Sequence, residues 1–230
     1  MQRDNLLLGR LDRHVLEKVS SALAFVELEQ GQLLADQHHL VEKVYFPCSC
    51  ILSCVVELPG GGAIETGMIG KDGQWGASQA LDNKVSLNNV VVQVAGRAAV
   101  MAAGRLKLLA KEFPSFQTLL LRYDQFSMAQ MQQTAACNAV HAVEPRFCRW
   151  LLRMHELVGP NISITQEFMA QMMGVRRTSV TQIAIGLQKA GAISYTRGKV
   201  HITDLSHIQS HSCECPGELV SHYDRLFGAE

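Results

Sequence analysis

The sequence has no run of about 18 uninterrupted apolar residues, so nothing in it reads as a membrane-spanning helix. Its opening stretch, MQRDNLLLGRLDRHVLEK, is amphipathic and charged and lacks the apolar centre and small-residue cleavage site of a secretory signal. A cytoplasmic chain with no membrane partner is expected. Motifs that would bring reacting groups together are missing too: there is no HExxH, no P-loop, no GxSxG and no Gly-rich dinucleotide fingerprint, which leaves an enzyme without support. The seven cysteines are odd in number and fit no repeated CxxC or Cys/His zinc spacing, so a disulfide scaffold or zinc finger is disfavoured. Net charge is absent as well, 21 Lys and Arg against 21 Asp and Glu. Taken alone, that balance speaks against a nucleic-acid partner.

The sum hides an uneven distribution. Residues 144 to 202 carry eight Lys and Arg against three Asp and Glu, whereas the chain before them carries 12 against 13. A basic module joined to a neutral one is the expected arrangement. With 230 residues, 47% of them hydrophobic, the chain is long enough for buried cores in both.

Along the chain the hydrophobic period changes twice. A short helix over about 11 to 23 precedes residues 24 to 103, where KVYFPCSCILSCVVEL and NNVVVQVAGRAAVMA alternate and Gly residues interrupt at PGGG (59 to 62), Gly70, Gly73 and Gly96. This predicts short, mostly antiparallel strands forming a sandwich or barrel. From Pro114 to Val140 no Gly or Pro follows the first residue, and one long helix is expected. Leu121, Met128 and Ala135 recur at sevens with Met131 offset, the pattern of a seam that pairs with a second chain. The other reading is a helix packed only within its own domain. Pro145 suits the first turn of a further helix running through Leu157.

The segment 162 to 204 is the most informative. Thr165 can cap a helix in which Phe168, Met169 and Met172 form one face, and Gly174 permits a left-handed turn. A second helix from Arg177 to Ala190 puts Val180, Ile183, Ala184 and Leu187 on one side and Thr178, Thr181 and Gln182 on the other. Ile193 and Tyr195 then alternate into a turn at TRGK (196 to 199), followed by Val200 and Ile202. Together these predict a winged helix-turn-helix that binds double-stranded DNA. Arg176 and Arg177 stand at the leading end of the second helix; Arg177, Thr178 and Gln182 would lie near base edges, with Ser179 and Thr181 reaching phosphates or a thymine methyl. Arg197 and Lys199 flank the wing tip, where they would hold phosphate.

At this point the sequence resembles the family of the cyclic-AMP receptor protein and the fumarate-nitrate reduction regulator, the CRP/FNR family of bacterial transcription regulators. The resemblance rests on the order of a Gly-punctuated β-roll, a long helix and TQEFMAQMMGVRRTSVTQIAIGLQKAGAI followed by a wing. It implies an α+β chain: a cyclic-nucleotide-binding-like β-roll over 1 to 112, a dimerisation helix over 113 to 140 and a winged helix-turn-helix over 141 to 230. It also implies a homodimer on a pseudo-palindromic operator, with RNA polymerase as a further partner. Cyclic-nucleotide binders of the family carry Gly-Glu and, shortly after, Arg with Ser or Thr. Here Gly76 is followed by Ala77, no Arg lies between Gln74 and Gly96, and Lys84 is the only cation nearby. Cyclic-nucleotide binding is therefore not expected, and the effector is unknown.

The cluster-binding relatives place most ligands ahead of the β-roll, where this chain has no Cys. In one extended strand Cys48, Cys50 and Cys54 would share a face but spread over roughly 20 Å, too far to grip a compact cluster. Thiols packing as small hydrophobes are the expectation, with no cofactor and no metal. Cys213 and Cys215 form a CxC pair that needs further ligands, which His207 or His211 would supply only if the tail folds back. The competing class is a small-molecule-binding β-roll whose C-terminal domain merely mediates assembly.

Overall fold

A computed structural model describes residues 4–60 and 62–228; residues 1–3, Gly61 of the PGGG turn and residues 229–230 lie outside the described residues. The elements in chain order are α1 (Arg13–Ser20), β1 (Ala24–Leu28), β2 (Leu33–Ala35), β3 (Lys43–Pro47), β4 (Ile51–Glu57), β5 (Ala63–Ile69), α2 (Ala77–Asp82), β6 (Asn89–Val94), β7 (Gly96–Ala102), α3 (Ala103–Glu112), α4 (Pro114–Val140), α5 (Val143–Val158), β8 (Asn161–Ser163), α6 (Gln166–Met173), α7 (Arg177–Lys189), β9 (Ile193–Thr196), β10 (Lys199–Ile202), α8 (Leu205–His211) and α9 (Cys215–Phe227). No helix among the described residues is long and apolar enough to cross a membrane. Two compact units result. One holds the chain up to Cys54 together with Met68–Met128; the other holds Val55–Gly67 and Ala129–Gly228.

Strands β1 to β7 form the expected β-roll, most of which lies in the first unit. Strands order as β1-β7-β3 in one sheet, and the other sheet runs β2-β6-β4-β5. β7 pairs antiparallel with both its neighbours, Val100 standing opposite Ala24 on one side and Tyr45 on the other. Short strands cannot bury enough surface in one layer, so their apolar residues converge: Val44, Phe46, Ile51, Leu52, Val90, Val92 and Met101 are inaccessible or nearly so. α3 adds Leu106 and Leu109 to this core. It fills the interval between the predicted strands and the predicted long helix, where the sequence pattern predicts neither. α3 stops where Phe113, extended at φ −120° and ψ 93°, meets the conformational demand of the following Pro114, and α4 starts at that proline.

The cysteines of the roll do not lie in one strand. Cys48 sits in the bend between β3 and β4, while Cys50 and Cys54 are buried at and within the next strand. Burial pushes the Cys50 thiol up to about 12, so it packs as a protonated, inert group.

The first half of α4 buries Phe116, Leu119, Leu120, Tyr123 and Phe126. On this half Asp124 accepts a hydrogen bond from Gln74 Nε2 at 2.9 Å, and Gln74 Oε1 in turn accepts from the Ala77 backbone N–H at 3.0 Å, tying α4 to the start of α2. Burial outweighs the hydrogen bonds from Gln74 and Ser78 and raises the Asp124 carboxyl from its ordinary 3.8 to about 6. Between those values the folded chain holds more protons than the unfolded one, so stability falls as pH rises through that window and stays reduced above it. Asp124→Asn keeps the acceptor for Gln74. It should raise stability at neutral pH by up to about 3 kcal/mol and flatten the pH 4 to 6 dependence seen in urea unfolding; an unchanged pH profile would contradict this.

Candidate nucleic-acid interface

The second unit is built on α5, whose Phe147, Leu151 and Met154 are fully buried. The end of β4 and the first five residues of β5 belong to this unit, and Glu65 Oε1 accepts a buried hydrogen bond from Trp150 Nε1 on α5 at 3.0 Å. α5 ends at Gly159, and the chain passes through β8 into α6.

α6 begins as the sequence indicates. The Thr165 hydroxyl accepts from the Phe168 N–H at 3.2 Å, satisfying one of the free donors of the first turn. The helix ends at Gly174, whose backbone is left-handed at φ 63° and ψ 36°. Arg146 Nη2 donates to the Met173 carbonyl at 2.8 Å, capping the same end. The left-handed backbone favours glycine here, and a Cβ would meet Ile64 Cδ1 at 3.0 Å and push that side chain aside by a few tenths of an ångström.

α7 follows after a short turn, its Val180, Ala184 and Leu187 buried against the unit's core. Arg176, Arg177, Thr178 and Gln182 are exposed and Ser179 is half-buried. Arg177 Nη1 lies 3.1 Å from Glu167 Oε2, both side chains largely in water. Such a pair is worth at most about 1 kcal/mol and is readily exchanged for another anion.

Thr181 departs from the sequence reading. It is half-buried, and its hydroxyl donates to Gln166 Oε1 at 2.8 Å and lies 3.0 Å from the Arg177 carbonyl, so it fastens α7 to α6. The outward face instead continues from Thr178 and Gln182 to Ile185, half-exposed at 50%, and Lys189. Their spacing of three or four residues is the signal in the sequence. The apolar side chain of Ile185 masks it.

The wing forms a sheet ordered β8-β10-β9. Lys199 pairs with Thr196, and the two residues between them, Arg197 at φ 37° and Gly198 at φ 79°, both adopt positive φ as a tight hairpin turn demands. Arg197 and Lys199 are exposed at the tip. The wing is fixed to the helices by the Gln166 N–H donating to Tyr195 Oη at 3.2 Å and the Tyr195 N–H donating to Gln188 Oε1 at 3.2 Å. Of the eight cations between 144 and 202, the three on α5 are half-buried; the five exposed ones stand on α7, its leading end and the wing.

On α4, Leu121, Met128 and Ala135 are exposed, 49% for Leu121 and 60% for Met128. Met131 is not free in the same way: its Cε lies 3.3 Å from where a Cβ on Gly67 would be, so it packs against β5.

Residues 145–210 match the model of the Crp-like helix-turn-helix domain. No curated protein sequence matches the chain. Among solved structures, a CRP-family transcriptional regulator from Thermus thermophilus is similar at 16% identity and a TM-score of 0.67, over 81% of this chain and 96% of that one. FixK2 from Bradyrhizobium japonicum is similar at 9% identity and a TM-score of 0.71, over 83% and 98%. The c-di-GMP responsive global regulator CLP of Xanthomonas campestris is similar at 13% identity and a TM-score of 0.66, over 83% and 99%. The chain thus has the architecture of the CRP/FNR-like transcription regulators. Within it, residues 145–210 form a Crp-like helix-turn-helix DNA-binding domain.

Gly174→Ala should destabilise the protein by about 1–2 kcal/mol, from left-handed backbone strain and the displacement of Ile64. Urea unfolding measures this, and a cost near zero would mean that the turn between α6 and α7 tolerates a side chain.

Proposed function

We propose that this protein binds DNA as a homodimer, in a sequence-specific manner, and regulates transcription from the sites it occupies. The observation that carries this reading is the grouping of Arg176, Arg177, Thr178 and Gln182 on the solvent side of α7, beside a wing tipped by Arg197 and Lys199. A helix of this kind entering the major groove by its N-terminus offers Arg177 to guanine and Gln182 to adenine, while the wing cations hold phosphates and carry no sequence information. Ser179 is within reach of phosphate, and Thr181 serves by holding α7 in place. Exposed Ile185 is suited to a thymine methyl.

The apolar stripe of Leu121, Met128 and Ala135 supports pairing of α4 with α4 of a second chain. Two recognition helices related by a two-fold axis would read half-sites of a pseudo-palindromic operator one helical turn apart. On a promoter, such a dimer recruits or blocks RNA polymerase by position.

The β-roll serves this reading without a cyclic nucleotide. At the start of α2, the segment where an anion would be met, Ala77 and Ala80 are buried, and the Ala77 N–H is taken by Gln74. Lys84 lies exposed beside Asp82, at 3.4 Å.

Selection from random duplexes by the purified protein tests the proposal. A two-fold symmetric motif is expected; no enrichment at low salt would overturn it. On the selected site Arg177→Ala should cost about 1–3 kcal/mol and relax one position of each half-site. Lys199→Ala should weaken all sequences alike and lower the slope of log affinity against log salt by about 1. An unchanged sequence preference in Arg177→Ala would remove α7 from the reading role.

A further inference from the structure

The tail folds back, though not onto the histidines that its spacing suggested. His207 and His211 stack on each other on α8, ring centroids 4.0 Å apart. Cys213 and Cys215, at the junction of α8 and α9, meet the last turns of α4. There Cys137, on α4, and His141, one residue past its end with its N–H still donating to the Cys137 carbonyl at 3.0 Å, stand about one helical turn apart. The four ligand-capable atoms all lie within 4.8 Å of one another. Cys137 Sγ is 3.6 Å from Cys213 Sγ, and Cys215 Sγ is 3.7 Å from His141 Nδ1.

The two short separations match the edges of a tetrahedron around one ion, and the 4.8 Å limit on the rest requires the side chains to close by about 1 Å on binding. With bonds of about 2.3 Å to sulfur and 2.0–2.1 Å to nitrogen, the ligands of a tetrahedral zinc stand roughly 3.5–3.8 Å apart. Ligands of a two-iron cluster are divided between two metal atoms and spread further. The three thiols are buried, as a closed structural site requires, and His141 is half-buried at the rim. Its other ring nitrogen is engaged as well: Nε2 lies 3.2 Å from Glu214 Oε1. A carboxylate in that position favours the tautomer that leaves the Nδ1 lone pair facing the thiols, and is the usual outer partner of a metal-bound histidine.

We infer that Cys137, His141, Cys213 and Cys215 form a mononuclear tetrahedral site for a thiophilic divalent metal, Zn2+ above all. Three thiolates and an imidazole select such an ion over the oxygen-seeking Mg2+ and Ca2+. The ion ties the end of α4 to the tail and closes a loop containing the whole helix-turn-helix and wing. In the unfolded chain these ligands are scattered, so binding adds directly to the stability of this unit.

The full-length chain, stripped with chelator under reductant, is titrated with Co2+ and then Zn2+. The expected result is one equivalent per chain, visible bands of tetrahedral cobalt with sulfur-to-cobalt charge transfer, stoichiometric displacement by Zn2+ and a metal-dependent rise in the unfolding midpoint. Cys215→Ser and His141→Ala should weaken binding roughly 100-fold or more, Glu214→Ala by up to about 10-fold because its carboxylate is exposed, and Cys48→Ser not at all. Glu214 is exposed, so that variant keeps the measurement on folded protein should a serine variant unfold. An octahedral cobalt spectrum, failure of the unmodified chain to bind either ion, iron isolated with equimolar sulfide, or a Cys137–Cys213 disulfide in place of metal would each overturn the assignment.

Discussion

The structure depends on a single constraint, that the 27 residues of α4 must satisfy different neighbours on different faces. Its first half buries Phe116, Leu119, Leu120, Tyr123 and Phe126, side chains worth at most about 1.5–3 kcal/mol each when removed from water. Its second half buries Gln130 and Cys137. Each burial uses the helical repeat, and the repeat leaves a third stripe, Leu121, Met128 and Ala135, that the described residues of the chain do not cover. A helix that were apolar on only one side could not bury residues in both units and still expose a further apolar stripe.

Charge follows the same economy of position. The chain is neutral as a whole, yet the five exposed cations of the basic segment fall on α7, its leading end and the wing, while Arg146 is engaged by the Met173 carbonyl. Acidic groups in this segment are few; Glu167 pairs with Arg177 at the surface, where water and salt weaken the attachment and leave the guanidinium available. A local field suited to phosphate can therefore stand on a molecule with no net charge.

Legibility in the sequence tracks how local each determinant is. The bounds of α4 are readable because proline starts it and nothing breaks it; the turn at Gly174 and the wing are readable because each rests on a few adjacent residues with one conformational demand. α3, ten residues with too few apolar positions to set a clear period, gains its identity from the core that receives Leu106 and Leu109. Met131 fits a heptad by spacing, but contact with β5 near Gly67, 64 residues earlier in the chain, occupies it. Thr181 falls on the polar face by angle, and only the position of Gln166 shows that its hydroxyl is used internally. The grouping of Cys137 and His141 with Cys213 and Cys215 joins residues 76 apart, which no local spacing rule can anticipate.

The central claim is that the exposed stripe on α4 makes two chains act as one reader of DNA. The most direct measurement is the stoichiometry of the complex on a single selected duplex, by native mass spectrometry or sedimentation, for the unmodified chain and for Leu121→Glu with Met128→Glu. Two chains per duplex, with the double variant monomeric and its affinity lost by orders of magnitude, is the result predicted. One chain per duplex, or a double variant that stays dimeric and binds unchanged, would contradict it.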